Sequence, residues 1–175
     1  GSFVPMSFIG VPAPHGQLEA LLWKVESPRA AAVVCHPHPL HGGTMHNHVT
    51  YRIAQAFREA SVSTLRFNYR GVGKSTGTHD EGRGEIDDAA SALDLLAKEV
   101  PSVPLLVAGF SFGARVALQL ALREPRIEKV LAVGVTVDLY EFDFLKALNK
   151  PLAIVQADRD EFGALDKVND LLRAD

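Results

Sequence analysis

The chain has 175 residues and a formal net charge of −3; 47% of its residues are hydrophobic, 22% are charged and one is a cysteine. That length allows one domain with a genuine core, and the balance excludes a disordered chain, a basic nucleic-acid footprint and a disulfide framework. No apolar run approaches the ~18 residues of a membrane span and the N-terminus lacks a signal-peptide pattern, so neither nucleic acid nor membrane is expected as a partner and a cytoplasmic location is.

Gly1-Ser2 reads as a cloning scar, and no repeat or linker divides the chain. Residues 18–25 predict an early antiparallel strand. Residues 31–35 are an uninterrupted apolar run, the pattern of a central parallel strand covered on both faces. A helix is predicted over 47–60, with Val49, Ile53, Ala56 and Phe57 on one face, then a strand over 62–68. Residues 85–99 predict a second helix, acidic in its first turn, with Ile86, Ala89, Ala90, Leu93 and Leu96 inward. Further strands are predicted at 105–108, 129–135 and 152–156, with a helix over 114–123. Strands alternating with helices give an α/β fold: a mostly parallel sheet, helices on both faces and right-handed crossovers. Sites in such sheets lie beyond the carboxyl ends of the strands.

Gly109-Phe110-Ser111-Phe112-Gly113 follows the strand at 105–108 and opens the helix at 114–123. G-x-S-x-G between a strand and a helix is a nucleophile elbow: the turn is too sharp for a Cβ beside the serine, and it lifts the hydroxyl above the sheet. The competing reading is a glycine-rich turn with a serine helix cap. Residues 35–45, Cys-His-Pro-His-Pro-Leu-His-Gly-Gly-Thr-Met, come directly after the strand at 31–35. An acyl-transfer enzyme needs a backbone N–H here to join that of Phe112 in holding an oxyanion. Pro37 and Pro39 carry none; His38 is favoured by position, with Leu40 second, and Gly42-Gly43 would let the loop fold back.

Together with Arg66-Phe67-Asn68-Tyr69-Arg70-Gly71-Val72-Gly73-Lys74-Ser75, these motifs resemble the small cap-less α/β hydrolases, the dienelactone-hydrolase-like serine esterases. The resemblance runs from about Leu18 onward. It implies the α/β-hydrolase fold, a Ser–acid–His triad in that chain order, and an acyl-enzyme on Ser111 formed from a small or medium acyl ester. No cofactor and no metal are implied. The family's acid lies three residues past a glycine that ends a late strand; Ala157 takes the glycine's place, which puts Asp160 in the acid role with Asp158 as the alternative. A histidine should come later, but none follows His79. Three explanations stay open: residues 1–175 are an incomplete version of a longer chain that continues through a final strand, the histidine loop and a helix; a histidine is recruited from elsewhere; or the protein is a non-catalytic binding domain. A chain truly ending at Asp175 would be expected to self-associate and hydrolyse esters feebly.

Rival chemistries fit less well. Five histidines between 36 and 48 include an H-x-H pair suited to a metal, but no carboxylate or cysteine joins them at ligand spacing. Gly71-Val72-Gly73-Lys74-Ser75 lacks the first Walker glycine, because position 68 is asparagine. Cys35 should be a buried, inert thiol, and His79 should be exposed in a polar loop. Val137, Leu139 or Tyr140 would wall the acyl pocket, with Tyr140, Phe142 and Phe144 mostly core. The short connection there leaves a shallow cleft.

Overall fold

Six consecutive small or branched apolar side chains favour an extended strand buried on both faces. In the computed structural model, which describes residues 5–134, 148–155 and 163–173, they form β3 (Ala30–Cys35), and every one is buried. Parallel neighbours flank it: β4 (Val62–Phe67) on one side and β5 (Leu105–Phe110) on the other. Beyond β5, β6 (Ile127–Val133) and β7 (Leu152–Val155) continue the parallel sheet. Beyond β4 the direction reverses, with β2 (Gly16–Trp23) antiparallel to β4 and β1 (Met6–Ala13) antiparallel to β2. The order is β1-β2-β4-β3-β5-β6-β7.

Alternation along each strand sends side chains to two cores. Ala31, Val33 and Cys35 face the core shared with α2 (Gly84–Glu99) and α3 (Phe112–Arg123). Ala32 and Val34 face the other, shared with α1 (His48–Glu59) and α4 (Gly163–Arg173). Asn47 starts α1 by accepting hydrogen bonds from the Val49 and Thr50 N–H groups at 3.0 and 3.1 Å, which satisfies two of the first-turn donors.

The structure departs from the sequence reading in places. β1 has no counterpart in that reading, because its residues Met6–Ala13 alternate weakly and only Val11 is fully buried. In α2, Ile86 and Ala90 are only partly buried, whereas Ala92 and two acids, Glu85 and Asp88, are buried. The strand predicted to reach Val135 ends at Val133. Among the described residues no helix is long and apolar enough to cross a membrane.

Candidate active site

At the carboxyl end of β5 the chain turns into α3 at Ser111, with φ 57° and ψ −116°. A residue with a Cβ rarely adopts positive φ, and such strain persists only where the surroundings over-determine it. They do so here. A Cβ on Gly109 would come within 2.8 Å of the Ala114 nitrogen, and one on Gly113 within 2.6 Å of the Cys35 carbonyl carbon and the His36 carbonyl oxygen. The two glycines therefore let β5, α3 and the end of β3 close on one another. The Ser111 N–H donates to the Val133 carbonyl at 2.9 Å, its carbonyl accepts from the Ala114 N–H at 2.9 Å, and its side chain is left exposed.

Beside it runs the loop after β3. The His38 carbonyl accepts from His41 and Gly43 at 3.1 and 3.0 Å, closing a 3-10 turn over Pro39–His41. Gly43 has no room for a side chain, since a Cβ would sit 2.7 Å from the His38 oxygen. The Leu40 N–H, the alternative to that of His38, donates to His38 Nδ1 at 3.1 Å. Among the described residues the His38 and Phe112 N–H groups donate to no protein acceptor. Their rings lie 4.7 Å apart, so the structure brings together the residues after β3 and β5 that the sequence paired. Burial, with the neighbouring His41 and His79 imidazoles, holds the His38 imidazole below the usual histidine range.

The motif at the end of β4 holds this loop in place. Arg66 Nη1 donates to the Met45 carbonyl at 3.0 Å, and the Asn68 carboxamide accepts from the Met45 N–H at 2.8 Å. The Tyr69 hydroxyl donates to the His36 carbonyl at 2.9 Å, and the Tyr69 N–H donates to His36 Nε2 at 3.2 Å.

Residues 26–149 match the serine aminopeptidase S33 family. The chain belongs to that family. An uncharacterized protein of Rickettsia prowazekii is 42% identical over 164 residues, 91% of this chain and 69% of that one. A protein of unknown function from Agrobacterium tumefaciens superposes with a TM-score of 0.80 at 36% identity, over 95% of this chain and 77% of that one. A serine hydrolase without a lid from Xanthomonas campestris also gives 0.80, at 27% identity, over 99% and 98% of the two chains. The architecture is the α/β-hydrolase fold.

Within this α/β hydrolase the remaining candidates sort by their surroundings. Asp160, Asp158, Val137, Leu139, Tyr140, Phe142 and Phe144 lie outside the described residues. His36 is fully buried, with Nδ1 donating to the Pro37 carbonyl at 2.7 Å and Nε2 accepting from Tyr69; burial pushes it down to about 4. It is a neutral brace whose two nitrogens are both engaged, so the H-x-H pair is not poised as a chelate. Burial pushes the Cys35 thiol up to about 12, the state of an inert thiol. In the glycine loop the N–H groups of Gly71, Val72, Lys74, Ser75 and Thr76 all go to protein acceptors, Lys74 to the Glu19 carboxylate at 2.9 Å. A carboxylate thus occupies the place a phosphate would need.

His79 is a correction. Its side chain is only 15% exposed and packs near His38 and Phe112, with the fully buried Glu85 beside it. Sequence reasoning missed His79, Glu85 and Asp88. The one signal for the two acids was their place on the side of α2 that also carries Ala89 and Ala92; His79 had none.

Proposed function

We propose that the protein is a serine esterase that cleaves small or medium acyl esters through an acyl-enzyme on Ser111. The observation carrying this reading is the exposed Ser111 at positive φ, next to two N–H groups without protein acceptors among the described residues. Ser111 Oγ attacks the acyl carbonyl, and the Phe112 and His38 N–H groups hold the oxyanion that forms. The N-terminus of α3, which starts at Phe112, adds a favourable dipole. A histidine paired with Asp160 takes the serine proton and returns it to the leaving alcohol; water then releases the acyl group. None of the seven histidines of residues 1–175 follows Asp160 in the chain. No step calls for a metal or an organic cofactor. Only residues 134–151 join β6 to β7, too few for a separate cap domain, which supports short soluble esters over long-chain lipids.

The test is steady-state hydrolysis of p-nitrophenyl acetate, butyrate and palmitate, with amino-acid p-nitroanilides for the amide activity in the family's name. Acetate or butyrate should be cleaved fastest, and Ser111→Ala should lower kcat/KM by about three orders of magnitude or more. A two- to threefold effect, or a profile peaking at palmitate, would contradict the proposal.

A further inference from the structure

The connection from β4 to α2 places one aromatic side chain where a polar loop has no need of it. His79 is 15% exposed, and its ring centroid lies 5.3 Å from that of His38 and 6.2 Å from that of Phe112. The His38 and Phe112 rings are themselves 4.7 Å apart. Three rings, from the loop after β3, the loop before α2 and the first residue of α3, therefore form a closed triangle, and two of them belong to the residues whose N–H groups would hold the oxyanion.

The loop that carries the third ring is held at the start of α2. Glu85, fully buried at the start of α2, accepts from the Asp80 N–H at 2.8 Å and the Gly82 N–H at 2.9 Å. Asp80 accepts in turn from the Gly84 N–H at 2.9 Å. His79 Nδ1 stands 3.1 Å from the same Glu85 oxygen that binds Asp80, out of line for a hydrogen bond, and has no other partner among the described residues. A fully buried carboxylate and a largely covered imidazole thus lie side by side, the imidazole near the Phe112 ring. Gly82, at φ 89°, takes a left-handed turn that favours glycine and brings the same loop alongside the Phe112 ring.

We propose that His79, carried on the loop that Glu85 holds, is a positioning residue that locks the His38 and Phe112 N–H groups into one oxyanion-binding geometry. This rests on the esterase reading above. The two donors come from separate connections, after β3 and after β5, and electrostatic stabilisation needs both at hydrogen-bond distance from the same developing charge. The His79 ring bridges the side chains of both, so loosening one loosens their mutual alignment. The effect falls on the transition state, because the ground-state carbonyl makes little use of those donors.

The experiment compares wild type, His79→Ala and His79→Phe in p-nitrophenyl acetate hydrolysis and in the rate of Ser111 labelling by a serine-directed phosphonate, with thermal melts alongside. Removing the ring should lower kcat about tenfold, less than the loss of a whole donor, leave KM within about twofold, and slow labelling in parallel. Phenylalanine, which restores a ring, should recover most of the lost rate. If wild type itself is not labelled, the esterase reading fails and this inference with it. If wild type is labelled and His79→Ala matches it in kcat and labelling rate, or if KM rises at constant kcat, His79 is not a positioning residue. Should His79→Ala fail to fold, His79→Leu is read against His79→Phe by the same criteria, and equal rates for those two overturn the proposal.

Discussion

Two strand-to-helix connections at the same end of the sheet are built by opposite means. The turn from β5 to α3 is essentially one residue long, and its shape comes from backbone sterics: Ser111 at positive φ between two glycines whose Cβ atoms would strike neighbouring main chain. The connection from β4 to α2, residues 68–83, is held by side chains. Asp88, 1% exposed, accepts from the Arg70 N–H and guanidinium and faces His15 Nε2 at 3.1 Å, while Glu19 bridges the Asn68 carboxamide and the Lys74 N–H. The first device is rigid because no alternative conformation fits; the second because buried charges must keep their partners. The steric turn carries the proposed reaction, and the ionic one carries the loop that supports it.

That contrast can be broken from either side. The largest loss of stability is expected from Asp88→Ala, which strands the Arg70 guanidinium, a group that bonding to Asp88 now holds firmly protonated. Urea unfolding should show a loss of about 3–5 kcal/mol; a loss below about 1 kcal/mol would mean that the connection does not depend on its ion pairs.

A change of pH strikes His36, the brace between the loop after β3 and the connection from β4 to α2. His36 titrates near 6.5 when unfolded and about 4 when folded, so between those values the unfolded state binds more protons. Stability from His36 is therefore fully present above about pH 6.5 and falls as pH drops to about 4, by roughly 3 kcal/mol at most. The difference between wild type and His36→Phe in urea melts at pH 7, 5 and 4 isolates it, and a difference constant across that range would remove His36 from the account.

Gly113→Ala sharpens the steric half. Its Cβ meets main chain that cannot rotate away, so about 1–3 kcal/mol should be lost, together with ester turnover out of proportion to that loss. The smallest effect belongs to the exposed pair Arg126–Asp94, 2.6 Å apart and 44% and 62% exposed. Asp94→Ala should cost under about 1 kcal/mol, and less in high salt. A larger cost there would undo the distinction between surface and buried ion pairs.

The same contrast explains what could be read from the residues alone. A steric device leaves a local signature, and Gly109, Ser111 and Gly113 spell it within five positions. Buried parallel strands are equally local, so 31–35 and 105–108 are legible as unbroken apolar runs. Glu85 and Asp88 look like ordinary acids near the start of α2, because the groups that bury them lie elsewhere: His15 is 73 residues from Asp88. The position of His79 depends on the fold of three loops at once, and nothing in Thr78-His79-Asp80 signals it. β1 failed for a different reason, since an edge strand with one thin covered face has a weak alternation.

The central claim is that Ser111 is the nucleophile of an acyl-transfer site. The most direct measurement is to treat the protein with a serine-directed phosphonate and map the modified peptide by mass spectrometry. One adduct per chain on Ser111, absent from a folded Ser111→Ala variant, is the predicted result. An adduct on any other residue, or equal labelling of the variant, would contradict it.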